Sequence, residues 1–515
     1  MCRGGWPRGY KGHTYAAHPA PPFPLTRNPS LPRLQAIFDS ARAAQTPAML
    51  RIHNTLSGKL EEFLPLYEGE VRFYYCGPTV WDYSHIGNFR STVATDVLHR
   101  YLEFKGNKVV HVMNITDVED RIIAKSQQAG LPIDDYTQKY IEALWEDFDA
   151  LGCKRPDIVP RATRHISEMV DLIERLLETN HAYRSDGSIY YRISSFPEYG
   201  KLSKINFAGN IAGASERIDT DRYEKEDARD FALWKEPASA SEPAWDTRLG
   251  RGRPGWHIEC SAMSMKYLGE TFDLHVGGID LVFPHHENEI AQSEGATGRQ
   301  FVRYWLHIEH LKVEGETMSK SKGNYYTFRD LRARGYSAAG IRYFLLSVPY
   351  NKQLNLTFDA LAGAEKTVES LRDFRARLDE AKTEPGSNEN LRESAARALR
   401  DFEAGMDDDL NTSVALAVIH NLSREVNTAL TRKQIREANK TELLELIDRF
   451  DTVLNIFHTS ETPRSLNTEI QELINERQEA RRRRDFSRAD SIRQVLAERG
   501  IVLEDTKDGV RWKRK

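Results

Sequence analysis

Cysteine is scarce in this chain. Only four stand among 515 residues, at positions 2, 76, 153 and 260, too few and too far apart to staple a small secreted fold. No secretory signal precedes them, so a reducing compartment, the cytoplasm, is expected, and each thiol is either buried and inert or a metal ligand. Long apolar runs are also missing. Nothing approaches the roughly 18 uninterrupted apolar residues that cross a bilayer. Mean hydropathy is −0.59 and charged residues make up 29%, which describes a soluble chain with no membrane partner. Charge of one sign does not dominate, because the formal net charge is −4. That excludes a protein that coats nucleic acid by bulk charge alone. Acid is nearly absent from one stretch, for residues 1–48 hold eight prolines and six Lys or Arg against a single acid, Asp39. Such a stretch buries too little apolar surface to fold. A disordered extension is expected there. It is either an organellar targeting segment, although it is neither amphipathic nor serine-rich, or sequence ahead of a true start at Met49; the second is preferred.

What is present begins with an alternation of strand and helix patterns. Residues 71–76 (VRFYYC) predict a buried strand. Residues 88–104 follow with helical spacing of Phe89, Val93, Val97, Leu98 and Tyr101. Residues 108–115 predict the next strand and 118–129 the next helix, which together make a parallel βαβ unit. Ligands of such sheets bind beyond the carboxyl ends of the strands, so 77–88 and 116–120 lie at the functional edge. A mixed segment, 161–254, reads as an insertion with one charged helix, a strand over 188–193 and a loop-rich remainder. The sheet pattern resumes at Trp256 with a helix (258–267), a strand (272–276), a helix after Pro284 and a strand (305–313). Past Thr357 the chain is amphipathic and helical to about Phe457. A polar break over 459–467 introduces two charged helices, the second capped by Gly500, and then a hairpin around Asp508-Gly509.

The expected architecture is α/β. A Rossmann-type parallel-sheet catalytic domain comes in two halves, 49–160 and 255–315, around an inserted connective subdomain, 161–254. A loop region (316–356), a helical bundle (357–460) and a small basic C-terminal domain (461–515) complete it. Residues 464–515 carry 14 Lys and Arg against 10 Asp and Glu in a chain of net negative charge, which points to a polyanion at that end. Arg481–Arg484, Arg488, Arg493, Arg511, Lys513, Arg514 and Lys515 could track phosphates and Trp512 could stack on a base. A solvated charged helix with Trp512 in a small core accounts for them equally well.

Three segments carry nucleotide chemistry. Ser84-His85-Ile86-Gly87-Asn88 sits at a strand-to-helix junction, where unpaired N–H groups and the helix dipole favour phosphate, Gly87 admits a nucleotide and His85 can donate to developing charge. Thr317-Met318-Ser319-Lys320-Ser321-Lys322-Gly323 is a Ser/Gly loop whose lysines could close over a triphosphate. Gly277-Gly278-Ile279-Asp280 follows a strand, with room for a ring beside the glycines and Asp280 placed for a ribose hydroxyl. Each alone is equally a capped helix or a solvated loop; their order on one sheet is what combines them. A fourth constellation is metallic. His285 and Glu289 are four apart on a helix beginning at Pro284 and share a face, and Cys76 ends a strand at the same edge. Zinc takes Cys, His and carboxylate ligands. His286 competes with His285, and spacing does not choose between them. Glu287 and Asn288 would lie on the helix surface.

His85-Ile86-Gly87-Asn88 and Met318-Ser319-Lys320-Ser321 resemble the HIGH and KMSKS signatures of class I aminoacyl-tRNA synthetases. The blocks FYYCGPTVWDYSHIGN, NITDVED, GRPGWHIECSAM, DLHVGGIDLVFPHHENEIAQ and MSKSKGN are similar to the cysteinyl-tRNA synthetase family, and the likeness runs from Met49 to Lys515. It implies an ATP-dependent ligase that forms cysteinyl-adenylate from L-cysteine and passes the cysteinyl group to tRNA(Cys). It implies one Zn²⁺ on Cys76, Cys260, His285 and Glu289, with Cys2 and Cys153 dispensable. It also implies Mg²⁺ with ATP; His85, Asn88 and Lys320 as catalytic residues; and His85, Gly87, Asn88, Gly277, Gly278, Asp280, Met318, Ser319 and Lys320 around the nucleotide. Thr116, Trp256 and His275 are implied to line the amino-acid pocket. In the same terms, 316–356 is the KMSKS and stem-contact region, 357–460 binds the anticodon side, and the protein works as a monomer.

A metal suits this substrate because an apolar pocket separates cysteine from serine by only about 1 to 3 kcal/mol, whereas zinc prefers a thiolate to a hydroxyl. Thr317 departs from the family pattern, which has lysine there. Slower activation is expected unless Lys322 or Lys312 compensates. Three rivals share parts of this reading: a cysteine ligase of mycothiol-type biosynthesis, a zinc hydrolase using Glu287 or Glu289 as base, and a non-catalytic tRNA-binding paralogue. The first lacks the roughly 150 residues that follow the loop here, and HHENE lacks the two-histidine spacing of HExxH.

Overall fold

The computed structural model describes residues 49–205, 227, 229–239, 242–457, 464–483, 485–498, 501–506 and 509–514, with backbone alone at 464–472, 487, 498, 502–506 and 509–514. The expectations for residues 1–48, Arg484, Gly500, Asp508 and Lys515, and for the side chains of Arg511, Trp512, Lys513 and Arg514, lie outside the described residues. Four parallel strands make the central sheet: β1 (Glu70–Tyr75), β2 (Lys108–Met113), β3 (Phe272–Gly278) and β4 (Val302–Ile308). Their order is β4-β3-β1-β2. The chain winds outward in one direction from β1 and in the other from β3, so the crevice between these two strands is the switch point where α/β sheets bind ligands. Both faces are covered, and the strands accordingly read as apolar runs without alternation.

Helix α1 (Ile86–Phe104) crosses from β1 to β2. All five residues of its predicted apolar stripe are buried. Helix α2 (Trp256–Leu268) leads into β3, and α3 (Glu287–Thr297) connects β3 to β4. A π-turn over Val282–His286 precedes α3, so His285 stands in that turn and not within the α-helix proper.

Four expectations change on contact with the structure. The insertion holds more strand than expected: Ala182–Ser185, Ser188–Tyr191, Phe231–Lys235, Trp245–Thr247 and Gly250–Pro254 form an antiparallel sheet, while the loop expectation for 206–226 lies outside the described residues. The segment after β2 holds a second helix, Ile133–Ala150, after Asp120–Ala129. The strand expected over 305–313 divides into β4 and Leu311–Val313, which joins a separate small sheet. Glu287 and Asn288 are not surface residues but are 0% and 2% exposed. Glu287 accepts hydrogen bonds from the backbone N–H groups of Gly200, Leu202 and Ser203, and Asn288 accepts from the Tyr199 hydroxyl. The inserted subdomain packs on that side of α3 and satisfies both side chains.

The helical portion comprises Phe358–Glu380, Glu389–Asp407, Thr412–Thr431 and Glu437–Leu454. Arg342, fully buried, binds it to the sheet domain by donating to the Leu454 and Leu151 carbonyls and pairing with Asp96 of α1. The last region has helices Arg464–Arg482 and Phe486–Glu498 and a hairpin of Ile501–Thr506 with Gly509–Arg514. Ile474, Ile492, Leu496 and Ile501 form its core. Among the described residues no helix is long and apolar enough to cross a membrane.

Candidate active site

A cleft of about 580 Å³ opens at the carboxyl ends of β1 and β3. Cys76, Gly77, Ser84, His85, Gly87, Asn88, Trp256, Gly278, Asp280, Thr317 and Met318 all line it. The fold therefore gathers the strand-end cysteine, the helix cap, the glycine turn and the loop threonine onto one wall. Thr116, Cys260, Gly277, His275, His285, Glu289, Ser319 and Lys320 stand behind or beside that lining.

His85 is the N-cap of α1. Its Nδ1 accepts from the Asn88 N–H at 3.2 Å, and Asn88 Oδ1 accepts from the His85 N–H at 3.1 Å. This reciprocal cap satisfies two orphan donors of the helix start. It also fixes chemistry, since a ring that accepts at Nδ1 carries its proton on Nε2. Burial depresses the His85 pKa to about 4, so the ring is a neutral donor at pH 7. At Gly87 a Cβ would stand 2.9 Å from His85 Nδ1 and 2.9 Å from Met318 Cε. Glycine is what lets the ring and the Met318 tip meet there.

Below the cleft lies a compact donor cluster. Cys76 Sγ is 3.8 Å from Cys260 Sγ and 3.6 Å from His285 Nε2, and His285 Nε2 is 3.1 Å from Glu289 Oε1. Tetrahedral bonds of about 2.3 Å to sulfur and about 2.0 to 2.1 Å to nitrogen or oxygen imply edges of roughly 3.8 Å between sulfurs and roughly 3.4 to 3.6 Å for the others. The donor set thus fits zinc in both type and spacing. Apart from its approach to His285 Nε2, Glu289 Oε1 is buried with no hydrogen-bond partner among the described residues, whereas Oε2 accepts from His275 Nε2 at 2.9 Å. Burial pushes the Cys260 thiol well up, helped by Cys76 and Glu289. At Cys76 the hydrogen bond with Cys260 pulls downward, but burial and nearby carboxylates raise it on balance. Burial opposes charge on His285, yet Cys260 and Glu289 lift it to about 10. A dication held there would displace that proton and reverse the thiol shifts.

Outer partners hold the cluster. His257 Nδ1 is 2.9 Å from His285 Nδ1, the nitrogen facing away from the cysteines. His286 points elsewhere, with Nδ1 2.8 Å from His307 Nε2, although it also forms a group with His275 and Glu289. Gly277 serves this packing, because a Cβ there would sit 2.6 Å from His286 Cε1. Thr116 is buried, donating to Glu259 Oε2 at 3.0 Å. Trp256 is 37% exposed and covers the cluster, its ring centroid 4.3 Å from that of His285.

Lys320 is drawn off to one side of the cleft. It pairs with Asp82 and lies 4.6 Å from the Trp81 ring centroid and 4.9 Å from that of Tyr325. Ser319 donates its N–H to Asn324 Oδ1 and shares a hydroxyl bond with Ser321. Sequence reasoning did not single out Asp82, His257 or His307. The first two fall inside the quoted blocks, but nothing in their spacing marks them as partners of Lys320 and His285.

Among families, tRNA synthetases class I (C) catalytic domain matches residues 62–366, DALR domain matches 401–458, and cysteinyl-tRNA ligase anticodon binding domain matches 464–512. A cysteine–tRNA ligase of Solibacter usitatus is 52% identical over 467 residues, which is 90% of this chain and 100% of that protein. One of Koribacter versatilis is 47% identical over 496 residues, again 90% and 100%. Among solved structures, Mycobacterium tuberculosis methionyl-tRNA synthetase in complex with methionyl-adenylate superimposes with a TM-score of 0.56 at 16% identity, over 75% of this chain and 90% of that one. The Agrobacterium radiobacter K84 LeuRS of a ternary complex gives 0.55 at 10% identity, over 77% and 85%. Those distant likenesses establish the shared fold, and the close relatives establish the lineage: the chain belongs to the cysteine–tRNA ligase family of class I aminoacyl-tRNA synthetases.

Proposed function

We propose that the protein activates L-cysteine with ATP as cysteinyl-adenylate and transfers the cysteinyl group to tRNA(Cys), working in the cytoplasm as a monomer. The observation that carries the reading is the Cys76–Cys260–His285–Glu289 donor set directly beneath a cleft walled by His85, Gly87 and Asn88. In the first step the cysteine carboxylate attacks the α-phosphorus of ATP and pyrophosphate leaves with its Mg²⁺. In the second, the terminal ribose hydroxyl of the tRNA attacks the adenylate carbonyl and AMP leaves.

Cys76, Cys260, His285 and Glu289 would hold zinc, whose soft Lewis acidity would favour a substrate thiolate over the serine hydroxyl. The remaining roles belong to the chain. Trp256 closes over the amino acid, and Thr116 and His275 back the pocket from behind, His275 by orienting Glu289. Gly278 and Asp280 receive the adenosine, with Gly277 keeping the turn close to the sheet. The α1 N-terminus, with the His85 Nε2–H and Asn88, faces the phosphates, where preorganised donors stabilise charge as it develops. Lys320 leaves Asp82 and closes on the triphosphate, with Met318 and Ser319 carried along. Residues 357–460 and 461–515 meet the tRNA beyond its acceptor end.

The mycothiol-type ligase is disfavoured by the matched domains after residue 400. The hydrolase is disfavoured by Glu287, whose carboxylate is committed to backbone donors. The test is cysteine-dependent exchange of pyrophosphate into ATP, with serine as control and with zinc removed, followed by charging of tRNA. Exchange with cysteine, little with serine, loss on chelation and charging of tRNA(Cys) are expected. Absence of cysteine-dependent exchange by the zinc-loaded protein overturns the reading.

A further inference from the structure

We infer that Lys312 is a catalytic residue that supplies, from a neighbouring strand, the phosphate-binding cation that Thr317 cannot. The inference rests on the reading of the cleft as an ATP site. Strands Leu311–Val313 and Glu316–Thr317 form a two-stranded antiparallel ladder in which Lys312 pairs directly with Thr317. Directly opposed residues of such a ladder project from the same face, with Cβ atoms about 4.5 to 5.5 Å apart. Leu311 and Val313, on the alternate face, are buried at 5% and 1% exposure, which leaves Lys312 on the side that Thr317 presents. Thr317 lines the cleft, as does Leu311, and Lys312 stands outside that lining. The four-carbon stem of lysine is long enough to carry a cation from position 312 past Thr317 to the rim of the cleft.

The other two lysines of this region are engaged. Lys320 pairs with Asp82, and Lys322 Nζ is 2.9 Å from Glu316 Oε2. Lys312 makes no ion pair among the described residues. A triphosphate is bound and its leaving group neutralised by cations. Of the three, Lys312 is the one whose charge is uncommitted and whose cross-strand partner faces the nucleotide.

The experiment measures cysteine-dependent ATP–pyrophosphate exchange in the zinc-loaded full chain for Lys312→Met, Lys312→Arg, Lys322→Ala and the double variant Lys312→Met/Thr317→Lys. A single lost charge-assisted contact predicts that Lys312→Met lowers kcat/KM for ATP by roughly 10- to 100-fold. The KM for cysteine should not change. Lys312→Arg should retain most activity, and the double variant should recover it, a rescue that a merely structural role for Lys312 would not produce. An unchanged kcat/KM for ATP in Lys312→Met, failure of Thr317→Lys to rescue, or a larger loss from Lys322→Ala overturns the assignment. If the parent protein shows no exchange with cysteine, it is the functional reading that has failed.

Discussion

Cys76 Sγ and His285 Nε2 stand 3.6 Å apart although 209 positions separate them in the chain. They meet because β3 lies beside β1, so the loop after each strand ends at the same sheet edge. Cys76→Ser or Cys260→Ser removes one sulfur from the donor set. Since loss of even an outer partner costs about 10- to 100-fold in metal affinity, loss of a ligand should cost at least about 100-fold. Metal analysis after dialysis should show zinc below stoichiometry, and the preference for cysteine over serine in exchange should disappear while ATP still binds. Stoichiometric zinc in both variants would refute the ligand assignment.

His257 touches the four-donor cluster through His285 Nδ1. His257→Ala should therefore weaken zinc by about 10- to 100-fold without removing a ligand, and competition with a chelator reads that directly. At saturating zinc, exchange should return most of the way to the parent value. A role for His257 in contacting substrate would instead leave the defect at any zinc concentration.

Asp82 and Lys320 form a half-exposed ion pair, a kind worth less than about 1 kcal/mol. Asp82→Asn should leave the thermal midpoint nearly unchanged. Because Lys320 is then free before ATP arrives, KM for ATP should fall, by no more than about 5-fold, the ratio that corresponds to 1 kcal/mol. A rise in KM would mean that Asp82 serves the nucleotide itself.

His85 is depressed to about 4 by burial from an ordinary value near 6.5. Between these values the unfolded chain binds the extra proton, so the stability from neutral His85 is full above about pH 6.5 and is lost as pH falls toward 4. His85→Asn should flatten the rise of thermal midpoint with pH across that window. Exchange activity should show no His85 step from pH 6.5 to 9. The variant's kcat should fall about 100- to 1,000-fold, the usual cost of one preorganised donor.

Arg342 is fully buried against Asp96, which also holds Arg100 Nε at 2.8 Å. Arg342→Met leaves Asp96 with one cation and strands two backbone carbonyls. Removing one partner of a buried pair costs about 3 to 5 kcal/mol, and the remaining Arg100 places this case near 3. Chemical denaturation should show that loss, with zinc content unaffected.

Much of this was readable locally. The α1 stripe is legible because helical period 3.6 is a property of neighbouring residues, and the βαβ order follows from strand and helix alternating. The insertion was not. Gly250–Pro254 (GRGRP) has neither alternation nor β-branched residues, and it becomes a strand by pairing with Phe231–Lys235 and Trp245–Thr247. The helix Ile133–Ala150 does carry apolar Tyr136, Ile141, Leu144 and Phe148 at helical spacing, a signal that its many acidic residues masked. Glu287 and Asn288 read as surface because their partners lie 84 to 89 positions away.

The sequence by itself determined which donor chemistries exist: two thiols, adjacent histidines and a glutamate, a capped helix behind a strand, and a loop with threonine in place of lysine. Family likeness was drawn from the longer blocks in which those residues stand. Only the tertiary structure decided which atoms meet. It turned His285 toward the cysteines and His286 toward His307, buried Glu287 against the insertion, tied Lys320 to Asp82 and set Lys312 opposite Thr317. The physical reason is that periodicity and capping depend on residues within a turn of each other, whereas coordination and ion pairing depend on sheet order and burial, which bring together residues that no local pattern relates.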